Sequence, residues 1–404
     1  MTSQDPRPPS PWSLLLALFT GATFIEALFW GQTTAFTPLY LPHLGVPPVE
    51  VARWTGVSVA LSSVIGIPFI PLWGALADRY ARRPIIIRSF VAHLLAAIVM
   101  VLARNIWMFV LGRALMSFAF GNTGLMMTAL SDRAPRHRIG LVLSVMNSAA
   151  PVGAFLGPLL GGRVVDRWGF PTLLELDGAL LILVIVTLTF GYRDAFQGTD
   201  RGSILRMAVN SVRLIWESPP LRTLFPALFL LFTGWMTALV YIPLAVTSLY
   251  RGPAPGTAVG VVLGLSGFAA LLFSPSLGYL ADRVGYWRVL FWAVAAEILL
   301  WPIPALAPTI VSFGITWTLL SGCTASVFTL SFAVLSRSVP SDVRGRVMSF
   351  AFLPINVGSI VGPAFGSIIT KSSVFAVFPG AAVITAFGLG ALVIAGRKAS
   401  ALPE

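Results

Sequence analysis

The sequence predicts an all-α membrane protein of twelve transmembrane helices, arranged as two pseudo-symmetric six-helix bundles. Apolar residues make up 56% of the 404 residues and charged residues only 10%, whereas soluble domains average about 25% charged. A stretch of ~20 apolar residues crosses a bilayer as a helix, and about twelve such stretches follow one another. Similar motifs also recur in the two halves of the chain. Little sequence is left for a soluble domain.

The spans divide into two groups of six around one long polar connector. We predict an N-terminal bundle over residues 1–192, a cytoplasmic linker over 193–221 and a C-terminal bundle over 222–404. The first six spans are predicted at 13–39, 51–77, 84–103, 106–130, 140–162 and 172–192. The second six are predicted at 222–249, 256–281, 286–306, 308–335, 345–370 and 374–396. Within the linker, apolar residues from Ile204 to Ile215 share one helical face, which suggests a surface amphipathic helix; a linker without structure is the alternative.

Basic residues predict the orientation. The net charge of +12 could suggest a nucleic-acid partner in a soluble protein. Here the basic residues lie between the spans. With the N-terminus in the cytoplasm, 20 of the 27 Lys and Arg residues fall inside, six fall outside, and Arg113 lies within a span. This bias places both termini inside, by the rule that cytoplasmic loops are positively charged. We therefore expect a multi-pass cell membrane protein, consistent with a bacterial inner membrane, and no nucleic-acid partner.

Several function classes find no support in the sequence. The single cysteine, Cys323, excludes an intrachain disulfide, and the three histidines lie too far apart for a metal site. The only lysines, Lys371 and Lys398, do not follow glycine, so the chain has no P-loop for ATP. No Ser/His/Asp constellation indicates an enzyme. We expect no cofactor and no metal, and we expect the first span to be retained rather than cleaved.

An internal repeat relates the two halves. PLWGALADRYARRP, which begins at Pro71, aligns at an offset of 204 with PSLGYLADRVGYWR, which begins at Pro275. GAFLGPLLG, from Gly153, aligns at an offset of 205 with GSIVGPAFG, from Gly358. Two matches at nearly one offset indicate duplication of a six-helix unit, which is typical of secondary transporters.

The same residues resemble the motifs of the major facilitator superfamily, over nearly the whole chain. The loop after the second span resembles the family's loop motif, and the fifth span resembles the glycine motif of the twelve-helix drug/proton antiporter branch. The residues that carry the resemblance are Gly74, Asp78, Arg79 and Arg82 in the loop, Asp282 and Arg283 in its second copy, and Gly153, Gly157, Pro158 and Gly161 in the fifth span. Arg113 resembles the arginine of the fourth-helix motif. Departures include Ala81 and Ser117, where the family usually has glycine.

The resemblance implies roles for these motifs. The loop motif is expected to hold the two halves together in the outward-open state, and plain topology marking is the alternative. The glycine stripe lets helices approach closely, and Pro158 bends the fifth helix. Its expected role in an antiporter is to seal the closed inner state against proton leak, and helix packing alone is the alternative.

Glu26 is the first candidate for proton coupling. It lies near the middle of the first span, where a charge costs at least ~2.5 kcal/mol. It would bind a proton or a cationic substrate, one excluding the other; a fixed structural partner is the alternative. Arg113, in the fourth span, needs a carboxylate or carbonyl partner, and it either tunes an acid such as Glu26 or ties helices together. Glu297 aligns with His93 at an offset of 204; the resemblance implies that their helices are peripheral, and we therefore expect a structural role for Glu297.

The resemblance implies that the first, fourth, seventh and tenth helices line a central cavity. Candidate lining residues are Trp30, Thr33, Phe36, Thr37, Asn122, Met126, Trp235, Met236, Tyr241, Trp317 and Phe328. Methionine and aromatic side chains suit variable lipophilic or cationic substrates, although packing explains any single one as well.

The sequence therefore favours a secondary active transporter that exports lipophilic drugs in exchange for protons, by alternating access. The expected partners are a small lipophilic substrate, protons and membrane lipids, and we expect a monomer. The first alternative is a proton-coupled or uniport transporter of a specific metabolite, sugar or lipid. The second is a non-transporting sensor on the same fold.

Overall fold

The described part of the chain consists of helices joined by turns and short irregular segments. The computed structural model describes residues 10–67, 69, 76, 81–119, 121–194, 219–337 and 353–399, and no strand occurs among them. The α-helices of the first half are α1 (Trp12–Tyr40), α2 (Val51–Gly66), α3 (Arg82–Val101), α4 (Ile106–Leu115), α5 (Asn122–Ser131) and α6 (Ile139–Gly191). Those of the second half are α7 (Pro219–Leu239), α8 (Ile242–Leu249), α9 (Pro255–Val284), α10 (Tyr286–Leu300), α11 (Ile310–Arg337), α12 (Leu353–Ile369) and α13 (Val377–Ala399).

Eight helical segments of the described residues are long and apolar enough to cross a membrane by length and composition. One of them, α6, has 53 residues, or ~80 Å of helix, far more than the ~30 Å of a bilayer core. Gly169 breaks it with a φ of 86° and a ψ of 166°. A Cβ added at Gly161 would lie 3.1 Å from a methyl carbon of Leu173, so the chain folds back on itself and α6 supplies the fifth and sixth spans.

Three predicted spans need correction. The fifth span is predicted to end at residue 162, but the helix continues through residues 163–168, three of which are charged, to the break at Gly169. The fourth span is two helices, because the chain passes from α4 through a 3-10 turn (Met116–Ala119) to Gly121, whose φ is 95°. The seventh span is also two helices, α7 and α8. Pro243 follows that break, and its ring nitrogen cannot donate to the preceding turn.

Several predictions lie outside the described residues. They are the inner end of the second span, including Gly74, Asp78 and Arg79, the amphipathic helix from Ile204 to Ile215, and the first residues of the eleventh span.

The packing of the core shows where the two halves meet. We call the face that carries Gly45, Gly169 and Arg251 the outer face, and the face that carries Arg82 and Arg337 the inner face. One cluster of buried apolar side chains runs through the first half and continues into the outer end of the second half, for example at Trp301 and Phe313. A separate cluster, which includes Leu290 and Val334, fills the inner end of the second half. The described cores are thus continuous between the halves at the outer face and separate at the inner end of the second half.

Two pairs of helices form most of the contacts between the halves in the described residues, and α1 adds smaller contacts with α8 and α9. The first interface is between α6 and α9, and the second is between α2 and α12. At the first interface a Cβ on Gly162 or Gly260 would collide with backbone atoms of the opposite helix. At the second, a Cβ on Gly56 would lie 2.8 Å from the carbonyl O of Pro363. Both interfaces are therefore close backbone contacts that require glycine.

Candidate functional site

Glu26 lies in α1 and is bound by the fourth span. The amide nitrogen of Asn122 donates a 2.8 Å hydrogen bond to one carboxylate oxygen of Glu26. No ion pair to Glu26 is present among the described residues. A carboxyl group with a neutral amide donor, and no fixed cation, is able to exchange a proton or to bind a mobile cation.

The break in the fourth span orients Asn122. Gly121 adopts the left-handed conformation and directly precedes α5, so Asn122 is the first residue of that helix. Its side-chain oxygen accepts a 2.8 Å hydrogen bond from the backbone N–H of Thr123, which leaves the NH₂ group to face Glu26. A helix interrupted within the membrane is a common way for transporters to build a binding site. The Gly121–Asn122 pair is a turn signal that could have predicted the break.

Arg113 does not pair with Glu26. It lies in the last turn of α4 with 2% of its surface exposed. One guanidinium nitrogen lies 3.7 Å from the sulfur of Met116, and its Nε atom has no hydrogen-bond partner. Its backbone carbonyl accepts a 2.7 Å hydrogen bond from Ser62 of α2. No carboxylate pairs with Arg113 in the part of the chain that the structure describes. The carboxylate or carbonyl partner that the sequence leads us to expect is therefore not found among these residues in this conformation.

The remaining cavity candidates differ in exposure. Trp30 is 39% exposed, and Trp235 and Phe328 are half-buried. Fully packed are Thr33, Phe36, Thr37, Asn122, Met126, Met236, Tyr241 and Trp317. The hydroxyls of Thr33 and Thr37 bond to carbonyls of their own helix, and Trp235 stacks on Trp317 at 5.1 Å between ring centroids. The buried set contributes helix packing in this conformation.

The two aligned residues of the peripheral helices are both buried. The carboxylate of Glu297 accepts a 2.7 Å hydrogen bond from the hydroxyl of Thr324, which joins α10 to α11. The ring of His93 packs edge-on against Phe29, at 5.4 Å between centroids. Both contacts tie neighbouring helices within one half.

The described residues of the loop motif make contacts within their own halves. Arg82 pairs with Asp132 at 2.6 Å, which joins the start of α3 to the end of the fourth span. In the second half, Asp282 accepts a hydrogen bond from Tyr286 and lies 3.9 Å from Arg337. Arg283 stacks on Tyr279. Each half thus has an Arg–Asp pair at its inner end, but the two pairs do not align, since Arg82 corresponds to Tyr286 at the repeat offset of 204.

The glycine motif packs α6 against α1. A Cβ on Gly153 would lie 2.5 Å from the carbonyl O of Phe24, and one on Gly157 would lie 3.0 Å from that of Leu28. One on Gly161 would lie 2.9 Å from the ring of Phe36. Gln32, which the sequence analysis did not single out, donates a 3.1 Å hydrogen bond to the carbonyl of Gly157. The stripe therefore joins two helices of the first half.

The second copy of the motif packs in the same way. Gly358, Gly362 and Gly366 meet α7, and the hydroxyl of Tyr241 donates a 2.6 Å hydrogen bond to the carbonyl of Pro363. In each copy the carbonyl of the motif's proline also faces a glycine of the opposite half. These glycines, Gly56 and Gly260, are 204 residues apart, so the repeat offset could have found them.

Comparison with known proteins agrees with this architecture. The sequence profile described as "Major Facilitator Superfamily" matches residues 18–296 and 224–403. "Multidrug resistance protein MdtG" of Klebsiella pneumoniae (strain 342) is 27% identical over 378 residues, which cover 92% of this chain and 90% of that protein. The protein of the same name from Rahnella sp. (strain Y9602) is 27% identical over 387 residues, covering 95% and 93%.

Solved structures share the fold at low identity. The nucleoside transporter NupG has a TM-score of 0.76 at 16% identity, covering 94% of this chain and 99% of that one. An auto-inhibited peptide transporter of the POT family also has a TM-score of 0.76 at 16% identity, covering 96% and 97%. The chain therefore belongs to the major facilitator superfamily and is a multi-pass membrane transporter of small molecules with twelve transmembrane helices in two bundles.

Proposed function

We propose that the protein is a proton-coupled exporter of lipophilic drugs that works by alternating access. The observation that carries the proposal is the Glu26 carboxyl group, within the first span and bound by the neutral amide of Asn122. Because no basic side chain neutralises it in the described residues, it can hold either a proton or a cationic substrate. Competition between the two at one carboxyl group couples export to proton entry.

The candidate cavity residues that are not fully buried support a lipophilic substrate. Trp30 lies one helical turn from Glu26 and is partly exposed, and an indole face attracts organic cations. The half-buried rings of Trp235 and Phe328 come from the other half. The relatives' name, multidrug resistance protein, points in the same direction.

The motifs take the following roles in this proposal. Arg113 lies next to the fourth-span break without a carboxylate partner among the described residues, and it tunes proton binding in a state of the cycle that supplies such a partner. The loop motif, with Asp78 and Arg79, holds the inner face closed when the outer face opens. The glycine motif from Gly153 to Gly161 makes the bent contact that limits proton leak.

We further propose a bacterial inner-membrane location with both termini in the cytoplasm, a monomeric state, and contact with protons and membrane lipids. The bundles extend over residues 1–192 and 222–404, and residues 193–221 link them. The basic residues of the inner face, including Arg82 and Arg337, support this orientation.

Purified protein in acid-loaded liposomes tests the proposal. A pH-sensitive dye inside the vesicles reports proton release when tetraphenylphosphonium, a lipophilic cation, is added outside. We expect release with the wild-type protein and none with Glu26→Gln, which keeps the size of the side chain and removes the titratable group. Glu297→Gln is the matched control, because it removes a buried carboxyl group that is engaged by Thr324 within the second half.

Three other results of the liposome assay would each contradict one part of the proposal. Proton release that persists in Glu26→Gln would remove Glu26 from the mechanism. Wild-type transport of a single sugar or nucleoside, with no response to any lipophilic cation, would replace the drug proposal by the metabolite alternative. Cation transport that is insensitive to the pH gradient would contradict proton coupling.

A further inference from the structure

A carboxylate of the first half binds the start of a helix in the second half. Asp166 lies in α6, one turn before the break at Gly169, at the outer face. One of its carboxylate oxygens accepts a 2.8 Å hydrogen bond from the backbone N–H of Gly256. The other accepts hydrogen bonds from the backbone N–H and the hydroxyl of Thr257, at 2.7 and 2.6 Å. All three bonds cross the first interface.

The groups that Asp166 binds have no partner within their own helix. The first N–H groups of any helix lack intrahelical acceptors, and α9 begins at Pro255, which has no N–H. The residue at the N-cap position, Ala254, cannot supply a side-chain acceptor. A carboxylate at this place satisfies the free N–H groups and is attracted by the positive end of the helix dipole.

Backbone glycines make the contact possible. A Cβ on Gly256 would lie 2.8 Å from a carboxylate oxygen of Asp166 and 2.9 Å from the carbonyl O of Gly162. Any larger residue at Gly256 would therefore push α9 away from α6 and out of hydrogen-bonding distance.

The second interface lacks the same contact. At the repeat offset of 205, Asp166 aligns with Lys371, and at 204, Thr257 aligns with Arg53. Both of these basic side chains are exposed, and two cations cannot reproduce a carboxylate cap. The polar connection at the outer face is thus specific to the first interface and does not follow from the duplication.

We propose that Asp166 is a positioning residue that holds the outer face of the transporter closed by capping α9 across the interface. To open the outer face, α6 and α9 must separate there, which breaks three hydrogen bonds and exposes a carboxylate and two N–H groups to water. Asp166 therefore sets how often the outer face opens, whichever substrate is carried. This role requires only that the halves move against each other, and it is independent of Glu26 and of proton coupling.

Distance measurements between spin labels test the role. One label pair, Val49→Cys with Leu306→Cys, reports on the outer face, since these residues are 90% and 80% exposed and belong to different halves. A second pair, Leu141→Cys with Val284→Cys, reports on the inner face. The native thiol is removed by Cys323→Ser, and the protein is measured in lipid nanodiscs without substrate or pH gradient.

We expect Asp166→Ala to raise the ratio of outer-open to outer-closed molecules by about tenfold or more, because charge-assisted hydrogen bonds are lost. The outer-face distance should lengthen and the inner-face distance should shorten. Asp166→Asn, which keeps one acceptor oxygen without the charge, should give an intermediate shift. Glu175→Gln removes an exposed carboxylate from the same helix and should leave both distances unchanged.

Unchanged distance distributions in folded Asp166→Ala would overturn the proposal. Where Asp166→Ala does not fold, Asp166→Asn decides the question, and wild-type distributions in that variant would overturn the proposal equally. A fall in thermal stability with no reciprocal change of the two distances would also refute it, since that would assign Asp166 a merely structural role.

Discussion

Substitution of Gly260 by alanine is expected to force open the first interface. A Cβ at this position would lie less than 3.0 Å from the carbonyl O of Pro158, 3.1 Å from its carbonyl carbon and 3.4 Å from the Cα of Gly162. All three obstacles are backbone atoms of α6, which cannot rotate out of the way. Since the optimum separation of carbon atoms is 3.5–4.0 Å, the two helices must move apart by roughly 1 Å.

The size of the effect follows from the cost of overpacking. Such insertions cost about 1–3 kcal/mol, and here the cost applies to the outer-closed state, in which the helices touch. The ratio of outer-open to outer-closed molecules should therefore rise by about 5- to 150-fold. The outer-face label pair, Val49→Cys with Leu306→Cys, measures this ratio directly.

The control for this prediction is Gly390→Ala in α13. It is the same change in a helix interior, and a Cβ there meets no atom within 4 Å. Both variants gain ~1 kcal/mol of helix propensity, so that contribution cancels in the comparison. If Gly260→Ala gives the same distance distribution and unfolding temperature as Gly390→Ala, the contact between α6 and α9 does not limit the position of the halves, and the reasoning fails.

Two further predictions concern the contacts of Tyr241 and Glu297. Tyr241→Phe removes the hydrogen bond to the carbonyl of Pro363 and should lower the free energy of unfolding by about 1 kcal/mol. It should also lessen the loss of stability caused by Gly56→Ala, because the Tyr241 hydroxyl is the atom nearest to that new Cβ. Thermal unfolding of the single and double variants measures both effects. If the two losses of stability simply add in the double variant, the contact between Gly56 and Tyr241 is contradicted. Glu297→Leu should lower the free energy of unfolding by about 1–3 kcal/mol, because it leaves the Thr324 hydroxyl unpaired, while proton release from liposomes should continue. Loss of proton release in a folded variant would show that Glu297 has more than a structural role.

The fold could be predicted because its causes are local or repeated in the sequence. Long apolar stretches identify spans one at a time, and the offset of 204–205 identifies the duplication. Helix continuity was harder to predict. The residues from Arg163 to Trp168 are polar enough to suggest a loop, yet they remain helical up to Gly169. Hydropathy reports burial in lipid, and it does not report where a helix ends outside the lipid.

The candidate site was predicted as separate residues rather than as contacts. Glu26 and Asn122 were each identified, but their hydrogen bond joins residues 96 positions apart. No local periodicity carries such information. Asp166 falls between the predicted spans 140–162 and 172–192 and was not singled out, because its role depends on an N–H group of Gly256 that becomes a neighbour after the two halves have packed.

The repeated and the unrepeated features of the chain have different consequences. In both halves a glycine faces the carbonyl of a motif proline, Gly260 with Pro158 and Gly56 with Pro363, so duplication accounts for the backbone crossing that brings the halves together. Two acidic groups of the first half do not follow the repeat, since Glu26 aligns with Leu230 and Asp166 with Lys371. A backbone contact that is equal on both sides lets the halves rock about their shared interfaces without favouring either state. Any preference for one state must then come from the unrepeated polar contacts, which is why substitution of single acidic residues is expected to shift the conformational equilibrium of a scaffold this symmetric.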